Sequence, residues 1–174
     1  VKFKNTPNRC VVVEGKECWI SRSVTVLPVL FFVQNDQKYV PLGQRGADLP
    51  DEVGKWGLPG GYLDFDETIS EAIVREVWEE LGINIPQLKG AYPFEGSIEK
   101  PYDIISLPRY RQNVTLKFPL MFHLGNAALP LLKPQVDQGE VLEARWFEVD
   151  KALEMDLAFN HQAVMQECLN TCFS

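Results

Sequence analysis

Glu76, Glu79 and Glu80 stand at i, i+3 and i+4 in the segment GYLDFDETISEAIVREVWEELGI, which runs from Gly61 to Ile83. On a helix that spacing brings three carboxylates to one patch of surface. Like charges held so close repel unless something positive joins them. One solution is a solvated acidic face balanced by Arg75 and water, which is common on helices. The other is a metal site, because hard carboxylate oxygens suit Mg²⁺ or Mn²⁺, ions that keep several waters and bind substrate phosphates. The triplet alone does not choose between them. Its company favours the metal: Arg75 directly precedes it, Glu67 lies at the loop–helix junction, and Gly60-Gly61 upstream allows positive φ and close approach of another group to the backbone.

The elements that must position these groups are legible in pattern. A helix is predicted to begin at Thr68 and end near Leu81, since Thr68 with Glu71 fits a capping box and Gly82 is a C-terminal stop. Ile69, Ile73, Val77 and Leu81 lay one apolar stripe along it. Upstream, Thr25 to Val33 reads as a strand, and Tyr39 to Leu42 follows after the polar turn Gln34 to Lys38 to make a hairpin. Gly43 to Gly54 reads as a loop leading into Lys55 to Gly61. Downstream, Ile83 to Glu99 holds Pro86, Gly90, Pro93 and Gly96 and a short strand, and Lys100 to Arg111 reads as a loop. Asn113 to Leu124 is a long strand whose Pro119 implies an edge or a bulge. Glu143 to Val149 is a further strand; Asp150 starts a short helix and His161 to Leu169 a terminal one, where His161 caps or packs. Mixed strands and helices in this order imply an α/β fold, a mixed β-sheet covered on both faces as an α/β/α sandwich. Neither a Gly-x-Gly-x-x-Gly turn nor a Gly-x₄-Gly-Lys-Ser/Thr loop is present, which removes the Rossmann and P-loop readings.

A length of 174 residues, 45% of them hydrophobic, suits one domain over 1–174. The longest apolar stretch, Val24 to Val33, is too short for a membrane span, and Val1 to Cys10 does not resemble a secretory signal, so a cytoplasmic location is expected. Cys10, Cys18, Cys168 and Cys172 lack the close-pair spacing of a zinc ribbon and are expected as reduced thiols. With 24 acidic against 17 basic residues the net charge is −7, which argues against binding nucleic acid through a broad basic surface but not against a small anionic substrate.

The segment resembles the Nudix box, whose pattern is Gly, five residues, Glu, seven residues, then Arg-Glu-apolar-x-Glu-Glu-x-Gly-apolar. Gly61, Glu67, Arg75, Glu76, Val77, Glu79, Glu80, Gly82 and Ile83 occupy every defined position. Resemblance to the Nudix hydrolases implies the Nudix fold and Mg²⁺-dependent cleavage of a diphosphate linkage in a nucleoside diphosphate derivative. It implies Glu76 and Glu80 as principal metal ligands, Glu79 in support, a backbone carbonyl at Gly60 completing the set, and Glu67 ligating or orienting a second ion. Arg75 would hold the glutamates in place. The general base in such enzymes is a box glutamate or one on a later loop. Glu140, within Val136 to Glu140, is the candidate because a glycine-containing loop can swing it over the metals; a plain exposed charge is the alternative.

Arg45, Arg109 and Arg111 are candidates to grip phosphate or ribose oxygens, and Trp56, Tyr62 and Phe94 to stack on a base, though Trp56 and Tyr62 fit a core role equally. The family acts on nucleoside triphosphates, ADP-ribose and related sugars, dinucleoside polyphosphates, NADH and coenzyme A. Glu143 to Val149 followed by Leu157 to His161 resembles members acting on ADP-ribose-type compounds, whereas Pro101 and Tyr102 lie slightly off the positions that mark those subclasses. Triphosphate hydrolysis is the alternative, as is a noncatalytic nucleotide-sensing domain. A regulator of that kind is expected to carry an added DNA-binding module with a basic helix, and the sequence up to Ser174 leads to no expectation of one. Many members dimerise, so a homodimer is an expectation.

Overall fold

In a computed structural model that describes residues 8–107 and 113–173, the chain opens with a hairpin of β1 (Arg9–Val13) and β2 (Lys16–Ile20) in a two-stranded sheet of its own. The main sheet follows: β3 (Val24–Gln34), β4 (Gln37–Arg45), β5 (Trp56–Gly57), β6 (Gly61–Tyr62), β7 (Phe94–Gly96), β8 (Asp103–Ile105), β9 (Val114–Gly125) and β10 (Val141–Glu148). Its spine runs β10-β4-β3-β9-β7, parallel between β3 and β9 and antiparallel elsewhere. Helices α1 (Ile69–Leu81) and α2 (Ile85–Ala91) cover one face, and α3 (Val149–Leu153) and α4 (His161–Cys172) the other. This is the α/β/α arrangement expected.

Because β3 is buried on both faces, it reads as an unbroken apolar run. Val26, Leu30 and Phe32 point to the α1 side, where Phe118, Leu120 and Phe122 of β9 and Ile73, Val77 and Leu81 of α1 complete a core. Leu27, Val29 and Phe31 point the other way, to Val40, Leu42, Leu157 and Met165. Phe122 lies at the centre of the first core, stacked on Phe32 at 5.2 Å and beside Phe94 at 5.9 Å.

The β3–β4 hairpin turns through Asn35 and Asp36, both at positive φ, so the turn is two residues and the strands are longer than expected. The two strands then part. They pair only from Phe32↔Tyr39 to Gln34↔Gln37; beyond that β3 takes β6 as partner and β4 takes β5. Pro28 and Pro41 lie in the parted stretches, where the missing N–H breaks no β3–β4 ladder. Pro119 obeys the same rule inside a central strand: it falls between the stretches of β9 paired with β7 and with β8. The expected edge position is therefore corrected, since a gap between two short partner strands serves as well.

Other expectations are also corrected. Gly43 to Arg45 belongs to β4, and Asp103 to Ile105 forms β8 within the expected loop. The segment after the box holds α2, where Asn84 caps through its side chain and Pro86 sits in the first turn, a position at which its lost N–H is harmless. The β1–β2 hairpin had no sequence signal of burial: Trp19 is 68% exposed. The cysteines are free, Cys168 buried and Cys10 and Cys18 exposed. Among the described residues no helix is long and apolar enough to cross a membrane.

Truncating Phe122 to Ala removes contacts with two other rings at a site with no room to collapse, and is expected to lower unfolding stability by about 3–5 kcal/mol. Urea titration followed by circular dichroism measures it.

Candidate active site

Thr68 caps α1 through a reciprocal pair with Glu71, and Gly82 closes it in the left-handed conformation, so the register of the acidic residues is set at both ends. Arg75 then organises the patch. Its Nε and Nη2 donate to Oε2 and Oε1 of Glu67 at 2.9 and 2.7 Å, its Nη1 to Glu76 Oε1 at 2.8 Å and Glu79 Oε2 at 3.0 Å, and its Nη2 also to the Tyr62 carbonyl at 3.0 Å. Hydrogen bonding to Arg75 holds the Glu67 carboxyl below the ordinary carboxylate range, and in return raises the guanidinium above its own.

Glu76 and Glu80 are pushed the other way. Glu76 is buried; desolvation raises its pKa against the pull of Arg75, with Glu79 and Glu140 adding to the rise. Glu80 is raised well above the usual range, first by desolvation and then by the charges of Glu76 and Glu140, against the Gly60 N–H and Arg45. Glu76 and Glu80 are thus both withdrawn from water, and the charge of Glu140 raises each further. That is the donor chemistry a divalent cation requires, and it fits Glu76, Glu80 and Glu140. Among the described residues no three acidic, histidine or cysteine side chains are already gathered on one point, since Arg75 draws Glu76 and Glu79 to its own side.

The parted hairpin supplies the opposite wall. The strands β5 and β6 fill the gap between β3 and β4 and bring Leu58-Pro59-Gly60-Gly61 across the acidic end of α1. The Gly60 N–H donates to Glu80 Oε2 at 3.3 Å. Gly60 has φ +149°, and a side chain there would strike the Val26 carbonyl; a side chain at Gly61 would occupy the space of the Glu76 carboxylate. Gly60 is therefore demanded by backbone close approach, whereas a side chain at Gly61 would displace the Glu76 carboxylate.

Arg45, Gly57, Leu58, Glu80 and Glu140 line the cleft together. The turn carrying Glu140 is tied to the end of β4 by backbone hydrogen bonds. Gly46 N–H donates to the Glu140 carbonyl and Asp48 N–H to the Gly139 carbonyl, both at 2.8 Å, and the turn packs so tightly that a side chain at Gly46 would meet the Gly139 backbone. Glu140 reaches the cluster because it is clamped there. Arg45 donates from Nε and Nη2 to the Asp51 carbonyl, and its guanidinium lies 4.8 Å over the Phe159 ring.

Other expected site residues fall differently. Glu67 accepts from Arg75 at both oxygens and braces the guanidinium beside the cluster. Gly60 meets the cluster through its N–H, which donates to Glu80. Trp56 packs edge-on against Phe147 at 5.0 Å with Arg145 over its ring, and Phe94 packs on Phe122 under Lys89, so both rings are half-buried among aromatic neighbours. Tyr62 is half exposed, its hydroxyl accepting from Asn113. Arg109 and Arg111 lie outside the described residues.

The geometry and the box agree with comparison to known proteins, in which the model of the NUDIX domain matches residues 24–168. The chain belongs to the Nudix family. It is 26% identical over 117 residues to the NAD-capped RNA hydrolase NudC of Chromobacterium violaceum, a match covering 66% of this chain and 37% of that protein. It is 27% identical over 154 residues to the ADPR responsive transcriptional repressor NtrR of Acinetobacter baylyi, covering 87% of this chain and 55% of that one. This chain thus spans only about a third to a half of the length of these relatives. Among solved structures, the Nudix domain of Shewanella oneidensis NrtR complexed with ADP ribose superposes with a TM-score of 0.66 at 23% identity, covering 87% of this chain and 88% of that one. That likeness establishes the Nudix fold.

One supporting residue had no sequence signal beyond its place at a helix start. The buried His161 accepts the Leu58 N–H at Nδ1, 2.9 Å away, and so ties α4 to the segment that carries Gly60 and Gly61. Desolvation, helped by the charge of Arg45, pushes its pKa down to about 4 from 6.5. The unfolded chain binds more protons between these values, so this contribution to stability is complete above pH 6.5 and is lost as pH falls through 6.5 toward 4, roughly 3 kcal/mol in all. In His161→Gln that part of the acid limb should vanish. Denaturant midpoints for both proteins from pH 7 to 4 test it; parallel profiles would refute the assignment.

Proposed function

We propose that this Nudix domain hydrolyses a diphosphate linkage in a nucleoside diphosphate derivative, with ADP-ribose or a related nucleotide sugar as the substrate class. The observation that carries this reading is the complete Nudix box on α1 beside a cleft lined by Arg45, Glu80 and Glu140, with the buried Glu76 one turn before Glu80. Glu76 and Glu80 would hold Mg²⁺ or Mn²⁺, with Glu79 and Glu140 beside them. When bound, the ion supplies the positive charge that lets an anionic diphosphate enter an acidic cleft and makes its phosphorus more electrophilic. Arg75 keeps Glu76 and Glu79 at the α1 end of the cleft, and Glu67 keeps Arg75 there. Arg45 offers a fixed cation to a phosphate oxygen. Glu140, clamped at the cleft, takes the proton of the attacking water; Glu76 is the other carboxylate within the cluster suited to that role.

Likeness to the ADPR responsive repressor over most of the chain supports the ADP-ribose side of the family. The same relative supports a second reading, a domain that senses the nucleotide without cleaving it. A complete set of box glutamates favours hydrolysis over sensing. Likeness to an RNA decapping hydrolase points to capped RNA ends, but a net charge of −7 gives little purchase on an RNA backbone, and a small nucleotide is the better fit. Triphosphate hydrolysis remains the alternative chemistry for the same cluster.

Glu80→Gln keeps shape while removing a desolvated charge, so the fold should be as stable as wild type or slightly more so, and Mg²⁺-dependent turnover should fall by about 100-fold or more. Unchanged turnover would sink the metal-site assignment. A panel of ADP-ribose, nucleotide sugars, NADH and nucleoside triphosphates with product analysis decides the substrate: AMP released from ADP-ribose is expected, and pyrophosphate released from triphosphates with ADP-ribose inert would overturn the preference.

A further inference from the structure

Within Leu157-Ala158-Phe159-Asn160-His161 the largest apolar side chain is the one turned outward. Leu157, Ala158 and His161 are buried, whereas Phe159 is 51% exposed. Its backbone stands at φ +52° and ψ 25°, left-handed, and Asn160 follows at φ +59°. Asparagine tolerates that region; a bulky aromatic residue rarely adopts it. The buried residues on either side enforce the conformation, and its result is a phenyl ring presented to solvent. Such an outlier, over-determined by its surroundings, points to use and not to packing.

The ring is also supported from behind. The Arg45 guanidinium lies 4.8 Å over it, held by the Asp51 carbonyl, and the His161 ring lies 5.8 Å away at a 54° tilt. Arg45 is at the same time a wall of the cleft that holds Glu80 and Glu140. The phenyl ring is therefore one side chain removed from the carboxylates. A nucleotide whose phosphates meet Arg45 and the acidic cluster would carry its planar base past this ring.

We propose that Phe159 is the stacking platform for the nucleobase, with Arg45 joining the base subsite to the phosphate subsite. This deepens the reading of the cleft as a nucleotide site and rests on it. Recognition by stacking accepts any base through its π-face, so the platform supplies affinity for the nucleoside and not discrimination among bases. An aromatic ring at position 159 is the requirement.

The test compares binding of AMP and ribose 5-phosphate to the full chain with Mg²⁺ by calorimetry, since the two probes differ only in the base. Wild type should bind AMP at least about 10-fold more tightly. Phe159→Ala should weaken AMP about 10-fold and leave ribose 5-phosphate within about twofold; Phe159→Leu should behave like Ala and Phe159→Trp like wild type. Thermal midpoints of the variants show whether the fold is kept. Equal binding of the two probes to wild type, or equal weakening of both by Phe159→Ala, overturns the platform. Turnover of ADP-ribose separates this from the hydrolase reading. If wild type hydrolyses it and Phe159→Ala raises KM with kcat kept, both stand. If no diphosphate is hydrolysed while the selective AMP loss persists, the platform stands and the hydrolase reading falls.

Discussion

Glu67 just before α1 and Glu76 and Glu79 within it are drawn around one cation, the Arg75 guanidinium, which uses every donor it has. It binds Glu67 twice, touches Glu76 and Glu79 once each, and reaches the Tyr62 carbonyl on β6. The planar fork of arginine permits this; a lysine would offer one point charge to the same set. Because Tyr62 belongs to the strand that fills the parted hairpin, the contact joins the acidic helix to the sheet as well as balancing it. What Arg75 leaves uncompensated is the charge of Glu80, withdrawn from water and facing Glu76 and Glu140.

The rest of the fold delivers groups to that point. Parting of β3 from β4 makes room for the segment from Trp56 to Tyr62, and the prolines at 28 and 41 stand where pairing has ceased. A glycine-to-backbone clamp at Gly46 and Gly139 brings Glu140 in from a sequence position 57 residues beyond the box. From the far face of the sheet, α4 sends His161 to the Leu58 N–H. Loops shape the cleft, but each is fixed by backbone hydrogen bonds or buried side chains. A site assembled this way is held ready, which suits chemistry that depends mainly on positioning and charge.

Lys117 has a comparable part on the α4 face. Buried in β9, it would be forced toward neutrality by desolvation, yet ion pairs of 2.8 Å to Asp103 and to Glu167 outweigh this and raise its pKa. It links β8 and α4 across the sheet edge, and α4 is the helix whose first residue supports the cleft. The layer that holds no acidic ligand is thus coupled to the layer that does.

The sequence by itself determined the helix and its chemistry. Capping by Thr68 and Glu71, the stop at Gly82, the apolar stripe and the spacing of Arg75, Glu76, Glu79 and Glu80 are local relations, set by helical geometry over a single turn or two. It also determined the mixed sheet, because strands buried on both faces are continuous apolar runs. Tertiary structure decided the rest. The tie of the Glu140 turn to Gly46 and Asp48, the contact of His161 with Leu58 and the choice of which aromatic faces solvent are relations between segments far apart in the chain, and composition carries no trace of them. Trp56 and Phe94 are half-buried against other rings, while Phe159, legible in the sequence only as part of the segment Leu157 to His161, is the ring turned to solvent. Exposure of a ring depends on what packs behind it and on a backbone conformation that its own sequence disfavours, and only the folded chain imposes both.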